Sequence, residues 1–552
     1  MTVSSDRSAG ARDWLLVVGL SLVVFLIAHR HAFLSPYVIN DDVRQQIYWM
    51  ARWLDPTLYP ADLLGAYSAA YVPAGVKSLY FLAAKGAGCD PILFSKILSG
   101  GLFVGLALAL WGIGRALEGR ALGLACAAMV WLMPFFLKNI SGGLSRSFAA
   151  PFLALFVWAW LRRRGTAMAV ILLLEALCIP YIAILCAGCC CLDAAISRIA
   201  RRREPAFPSR PWHALVLLAA AGLVWSMDHA LAAAGFGPLV TGLDVVGRPE
   251  FTAAGRFEMF PLPNPFFDLV YWPFESIGLF LDIGLVAGIV SLAVLLPFLV
   301  RGARRAPWAA YAPKARPLAF LLAGSLLVYA LARAVAFALF VPDRYISYSI
   351  NLLYALGLAV CLRWALAAGV CSRRRAAVVL LLAAGLGAWR LTDAGLYDYS
   401  REAPLYAAVA RLPKDALVAG NPELLDTVLT FGRRNVLASF ELAHPWNRGY
   451  WRRFEPRLAD QVEAYYAKDP AKVRELVRAY GVTHIVVRDA DFTAAATADH
   501  PLFAPFDARI ATLAHKPGGY ALLDGERFPY VAVAPGLRLI DVRALRSPHA
   551  GL

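Results

Sequence analysis

The sequence has little with which to cross-link itself or to cradle a nucleotide. It carries nine cysteines in 552 residues, and none lies beyond Cys371. Cys189, Cys190 and Cys191 are consecutive inside an apolar run. A disulfide framework or a zinc site needs spaced, water-facing cysteines, so these read as small apolar helix residues. No Gly-rich phosphate loop and no internal repeat occurs. No convincing small-residue cleavage site follows the first apolar run at 14–28, so that run reads as a retained signal anchor. Beyond about residue 392 the long apolar runs disappear.

Before that point they dominate. The chain is 60% hydrophobic, against about 45–50% apolar residues in a soluble domain. The excess sits in runs of about 14–25 residues, and a bilayer core takes about 20 per helix. The net charge of +16 does not point to nucleic acid, because no soluble segment shows a basic face interleaved with aromatics. Arginines cluster instead between apolar runs: Arg162–Arg164, Arg201–Arg203, Arg301 with Arg304 and Arg305, and Arg373–Arg375. Basic loops stay cytoplasmic, so the clusters orient the spans. Arg7 and Arg12 put the N-terminus inside.

Alternation then predicts about eleven spans over 1–392, with outside loops at 34–90 and 235–276. The run 166–196 has basic clusters at both ends, so a hairpin with Ile179-Pro180-Tyr181 at its outer tip satisfies the charge rule. The tail, 393–552, falls outside and reads as an α/β soluble domain. Strands are expected at Ala416–Gly420, Val436–Ser439 and Thr483–Arg488, and a turn and late strand at Gly519–Asp524. A helix over Ala471–Tyr480 is started by Asp469-Pro470 and stopped by Gly481.

The chemistry-bearing residues gather near the outer surface. Asp41 and Asp42 follow the first span. In a helical segment Asp41, Arg44, Gln45 and Tyr48 share one polar face. Such a carboxylate serves either as a general base on a hydroxyl or as a helix cap, for which one Asp suffices. Arg344 and Tyr345 stand at the outer end of a late span, and Arg333 about three turns earlier on the same helix. An arginine in a membrane needs a partner or a cavity, and its fork suits phosphate. It also pairs or snorkels without any further role. Lys138 and Arg146 flank a Gly-containing outside turn, as phosphate ligands or as solvated charges. Arg256 and Glu258 lie in a Pro-rich aromatic loop with Asp268 and Glu275, suited to the membrane interface. Glu175 is buried in an apolar run, facing a cavity or a neighbouring helix.

Taken in order and sidedness, these pieces resemble the GT-C superfamily of polytopic membrane glycosyltransferases. The matching features are Asp41-Asp42 in the first outside loop, the short paired spans broken at Ile179-Pro180-Tyr181, and Arg344-Tyr345. The tail phrases Leu412-Pro413-Lys414-Asp415-Ala416 and Tyr480-Gly481-Val482-Thr483-His484-Ile485-Val486-Val487 resemble the soluble regions of such proteins. The resemblance implies a polytopic helical domain followed by a periplasmic α/β domain in a bacterial inner membrane. It implies transfer of a sugar from a polyprenyl-phosphate carrier to a glycan, lipid or protein hydroxyl. Asp41 or Asp42 would act as base or, as in some members, as a metal or acceptor ligand. The need for a divalent metal stays open, and no other cofactor is implied. Arg344, Arg146, Tyr345, Lys138 and Arg333 would meet the lipid phosphate. Arg44, Gln45, Tyr48, Glu175, Arg256 and Glu258 would meet the acceptor or orient the residues that do. The tail lacks a Trp-Trp-Asp signature, which argues against transfer to protein asparagine. A ligase or polymerase using a polyprenyl-pyrophosphate oligosaccharide shares this chemistry. A transporter would call for internal repeats and midplane charges.

Overall fold

Backbone amides find no water in hydrocarbon, so apolar runs enter it as helices. The computed structural model describes residues 2–60, 62–200, 205–271, 284–366 and 373–546 and is mostly helical. Among the described residues six helices are long and apolar enough to cross a membrane: Gly10–Ala28, Pro91–Leu117, Pro180–Ile199, Pro211–Ala233, Arg316–Ala334 and Pro342–Leu366. Arg120–Leu132 and Pro134–Ile140 form a pair bent by 64°, a seventh if it counts as one span. Pro134, which lacks an N–H, sits at the bend. The shorter apolar helices Ser145–Leu161, Gly165–Cys178 and Ala377–Arg390 occupy further places where spans are expected. The shortfall from about eleven is one of length: the 14-residue Gly165–Cys178 helix reaches about 20 Å where the hydrocarbon core needs about 30 Å. The helix Gly284–Arg305 covers the later part of the expected eighth span. The start of that span, Trp272, Pro273, Phe274 and Glu275 of the aromatic loop, Arg201–Arg203 and Cys371 lie outside the described residues.

The break at Ile179 is a fold-back. Cys186 Sγ lies 3.5 Å from Glu175 Oε1, eleven residues away in sequence; a straight helix would hold them about 16 Å apart. The tip packs under the Gly142–Arg146 turn, where Ser145 Oγ donates to Cys178 O at 2.6 Å. Gly75, in the helix Ala74–Ala87, closes the other side: a Cβ there would lie 2.6 Å from Cys178 Sγ.

The tail folds around a five-stranded mixed sheet, in the order Asn435–Val436, Leu417–Gly420, His484–Arg488, Leu537–Asp541, Tyr530–Ala534. The first three strands are parallel and the last two antiparallel. His484–Arg488 is buried along nearly its whole length, as a continuous apolar strand covered on both faces must be. The expected helix appears as Pro470–Tyr480, with Asp469 accepting from Ala471 N and Gly481 left-handed at its end. Of the turn and late strand expected at Gly519–Asp524, only the turn forms. Ala521 N donates to Ala467 O, and Asp524 accepts from Glu526 N and Arg527 N. The last two strands lie further on and meet around Gly536, at φ +70°.

Contacts between tail and helical half include a short ribbon and a loop. Val38–Ile39 pairs antiparallel with Tyr397–Asp398, just past the last apolar helix. The long loop before Tyr271 runs along the tail, with Val240 N donating to Trp446 O at 2.9 Å and Asp244 paired with Arg448.

Candidate functional site

The short ribbon of Val38–Ile39 and Tyr397–Asp398 delivers Asn40, Asp41 and Asp42 to one place. Asn40 is buried; its Nδ2 donates to Gly395 O at 2.7 Å, and its Oδ1 accepts from Asp42 N at 3.2 Å. That Asx turn aims both carboxylates outward. Asp42 begins the helix Val43–Gln46, yet its side chain makes no capping bond. It accepts instead from Gln45 Nε2 at 3.0 Å and from Arg146. Asp41 Oδ1 takes the Asp42 N–H at 3.0 Å and lies 3.8 Å from Arg146. The Asp41 side chain is 36% exposed and that of Asp42 18%, so Asp41 is the more open acid. Helix capping therefore does not account for the pair.

Arg146 comes from the turn Ser145–Phe148, where Gly142 and Gly143 both have positive φ. A Cβ at Gly142 would lie 2.8 Å from Asn40 Cβ, so only glycine lets the turn approach the acid loop this closely. Arg344, in the turn Pro342–Tyr345, has Asp343 at 4.0 Å as its ion-pair partner. It lies within electrostatic reach of Asp42, Tyr181 and Tyr348, and Arg146 within reach of Asp41, Asp42, Tyr348 and Arg344. The rings of Tyr181 and Tyr348 stack at 6.2 Å. The hairpin tip thus brings an aromatic to the two arginines.

Behind the acids stands a carboxylate from the tail. Glu441 accepts from Arg44 at 3.0 Å, from Arg256 at 3.2 Å and, at 3.5 Å, from Gln45 Nε2. Arg146, Asp42, Gln45, Glu441 and Arg256 thereby form one hydrogen-bonded chain, and Tyr71 donates to Gln45 Oε1 at 2.6 Å. Asp426 Oδ1 accepts from Glu441 N at 3.0 Å, with Arg44 at 3.8 Å from Oδ2. Burial raises the pKa of Glu441 against the pull of Arg256 and Arg44. It pushes Asp426 up to about 7. His444, buried with Arg256 nearby, is lowered to about 3 and stays neutral.

Asp41, Asp42, Arg44, Gln45, Arg146, Arg256 and Arg344 therefore come together. Others do not join them. The α-helix gives way to a 3-10 turn, Tyr48–Trp53, and Tyr48 swings into the core against Tyr59. Tyr345 is fully buried and donates to Leu339 O at 2.5 Å. Arg333 binds Pro263 O at 2.8 Å and Tyr329 Oη at 3.3 Å, with Asp268 at 3.6 Å, pinning the aromatic loop to its helix. Glu175 is sealed between the hairpin helices with Cys186. Lys138 and Glu258 are exposed without a hydrogen bond or ion pair among the described residues.

Glu441, Asp426, His444 and Tyr348 are absent from the sequence expectations. One signal was available for Glu441. It is a charged residue just past a short buried strand, and ligand sites in open α/β sheets lie outside the carboxyl ends of strands. Among the described residues no three His, Cys, Asp or Glu side chains converge to hold a metal ion.

No known protein family matches the sequence, and no curated protein matches it. Solved structures match its fold. ArnT from Cupriavidus metallidurans, in the apo state, is 12% identical over 98% of this chain and 100% of that one, with a TM-score of 0.50. The archaeal oligosaccharyltransferase AglB from Archaeoglobus fulgidus, solved with an inhibitory peptide and a dolichol-phosphate, is 13% identical over 90% and 72%, with a TM-score of 0.49. At such identity the likeness is one of fold. The chain has the GT-C fold and is a multi-pass membrane protein.

Proposed function

We propose that this GT-C-fold protein is a membrane glycosyltransferase that moves a sugar from a polyprenyl-phosphate carrier to a hydroxyl acceptor. The observation that carries the reading is the open carboxylate of Asp41 beside Arg146, with Arg344 in reach of the same acids. Asp41 takes the proton of the acceptor hydroxyl as its oxygen attacks the anomeric carbon. The bond from that carbon to the carrier's phosphate oxygen breaks, and the departing phosphate gains charge. Arg146 and Arg344, fixed in place beforehand, stabilise it. A single displacement inverts the anomeric centre. Asp42 is a positioning residue: its bonds to Arg146 and Gln45 hold the cation beside the base.

In this reading the helical half passes about eleven times through a bacterial inner membrane. The N-terminus is cytoplasmic, and the acid loop, the hairpin tip, the two arginines and the tail face the periplasm. Their convergence at one end of the helical half supports that sidedness. The polyprenyl-phosphate sugar, the acceptor and the bilayer are the partners, and nucleic acid has no part. AglB was solved with dolichol-phosphate, a carrier of the same chemical kind.

The test uses the full-length protein. Mass spectrometry of lipid co-purifying with it is expected to find a sugar-phosphate polyprenol. Transfer from that lipid should be lost in Asp41→Asn at normal expression. Retained transfer in both Asp41→Asn and Asp42→Asn would overturn the assignment, and a tightly held unrelated solute would favour transport.

A further inference from the structure

Tyr397 stands beside the acid loop, in the strand that pairs with it. The ladder pairs it with Ile39, two residues before Asp41. Neighbours opposite and diagonal on a strand pair share a face, and Tyr397 is indeed within electrostatic reach of Asp41, Arg146, Asp42 and Glu441. Its side chain is 48% exposed, and its hydroxyl makes no hydrogen bond among the described residues. The backbone beneath it is fixed. Asn40 holds Gly395, Tyr399 N donates to Tyr37 O at 3.1 Å, and Ser400 N donates to Asp398 at 2.9 Å. Tyr399 lies behind it at 6.5 Å between ring centroids, backed by Arg44 at 4.5 Å.

A rigid, open aromatic ring next to charged groups has a specific use. A sugar ring is apolar on its C–H face and polar around its rim. An aromatic face takes the first, and carboxylates and guanidinium groups take the second. An acyl chain would gain nothing from Asp41, Glu441 and Arg146 at the same spot, and would leave them without water.

We propose that Tyr397, backed by Tyr399, is the platform on which a sugar ring of the acceptor lies, so that the acceptor is a glycan. The inference rests on the glycosyltransferase reading and names the acceptor class of that site. The platform sets the distance from the acceptor hydroxyl to Asp41, while the ring itself takes no part in proton transfer.

Saturation-transfer NMR on the full-length protein in detergent tests this with defined probes. These are the methyl glycosides of glucose, galactose, mannose and arabinose, and a serine- and threonine-containing peptide. At least one glycoside should receive saturation at its ring C–H protons. The signal should fall at least fivefold in Tyr397→Ala and in Tyr397→Leu, which keeps apolar bulk without the flat face. It should survive in Tyr397→Phe. Saturation of the peptide alone, of no probe at all, or equally in wild type and both aliphatic variants would overturn the platform. A failure of the enzyme reading looks different: transfer persists in both Asp variants whatever the glycosides do.

Discussion

Arg44 and Glu441 are 397 residues apart in the chain and 3.0 Å apart in space. Both side chains are largely withdrawn from water, and Arg256 reaches the same carboxylate from the long loop before Tyr271. One tail residue therefore gathers three segments at the site. A buried pair of this kind shows its worth when one member is removed, because the other is left charged and unsolvated. Glu441→Ala removes the side-chain acceptor that Arg44 and Arg256 share. It should destabilise the protein by about 3–5 kcal/mol, read as a fall in Tm of the full chain in detergent. A loss under about 1 kcal/mol would place the cluster in effective contact with water.

Arg344 and Arg333 should separate. Arg344→Ala is expected to lower kcat by about 10²–10³, the usual cost of a charge-stabilising donor. Arg333→Ala should lower it less than about tenfold, since Arg333 is engaged with Pro263, Tyr329 and Asp268 and acts by holding the loop. Steady-state transfer with the purified carrier lipid distinguishes them; equal losses would put Arg333 in the phosphate site.

Asp426 gives a pH signature. Its folded pKa is raised to about 7 by burial, so the folded state holds the proton more tightly than the unfolded one. The stability this supplies is complete below the ordinary carboxylate pKa of 3.8 and declines as pH rises towards about 7. Glu441, raised by the same cause, adds to the trend. Tm should fall across that window in the wild type, and Asp426→Asn should flatten the fall. A rising Tm there would mean that Arg44 outweighs burial.

Tyr345→Phe removes a buried hydroxyl that donates to Leu339 O. It should cost about 1 kcal/mol of stability and leave the transfer rate within about twofold of wild type. A larger fall in rate without loss of Tm would return Tyr345 to the phosphate site.

The grouping of Asp41, Asp42, Arg146 and Arg344 was legible because two local rules suffice. Apolar runs locate the membrane, and the sign of the flanking charge orients it. Asp41, Asp42, Arg146 and Arg344 lie at the ends of such runs. Tyr48 and Tyr345 misled for a shared reason. Each lies in or beside a 3-10 turn, where the α-helical period no longer says which way a side chain points. Asp426 and His444 carry no local signal, and the place of Glu441 just past a buried strand does not name its partners. Their roles arise from the tail settling against two distant loops, and nothing within ten residues of Glu441 signals Arg44.

The ribbon between Val38–Ile39 and Tyr397–Asp398 also bears on biosynthesis. The acid loop leaves the ribosome early, directly after the first apolar helix. Its partner strand is made only after the last one. Until Asp398 has emerged and the final helix has been inserted, Asn40 has no Gly395 to bind, and the two carboxylates have no fixed aim. A nascent chain that already holds the described apolar helices thus lacks the strand that fixes the acid loop. That geometry comes late, when the chain closes on its own beginning.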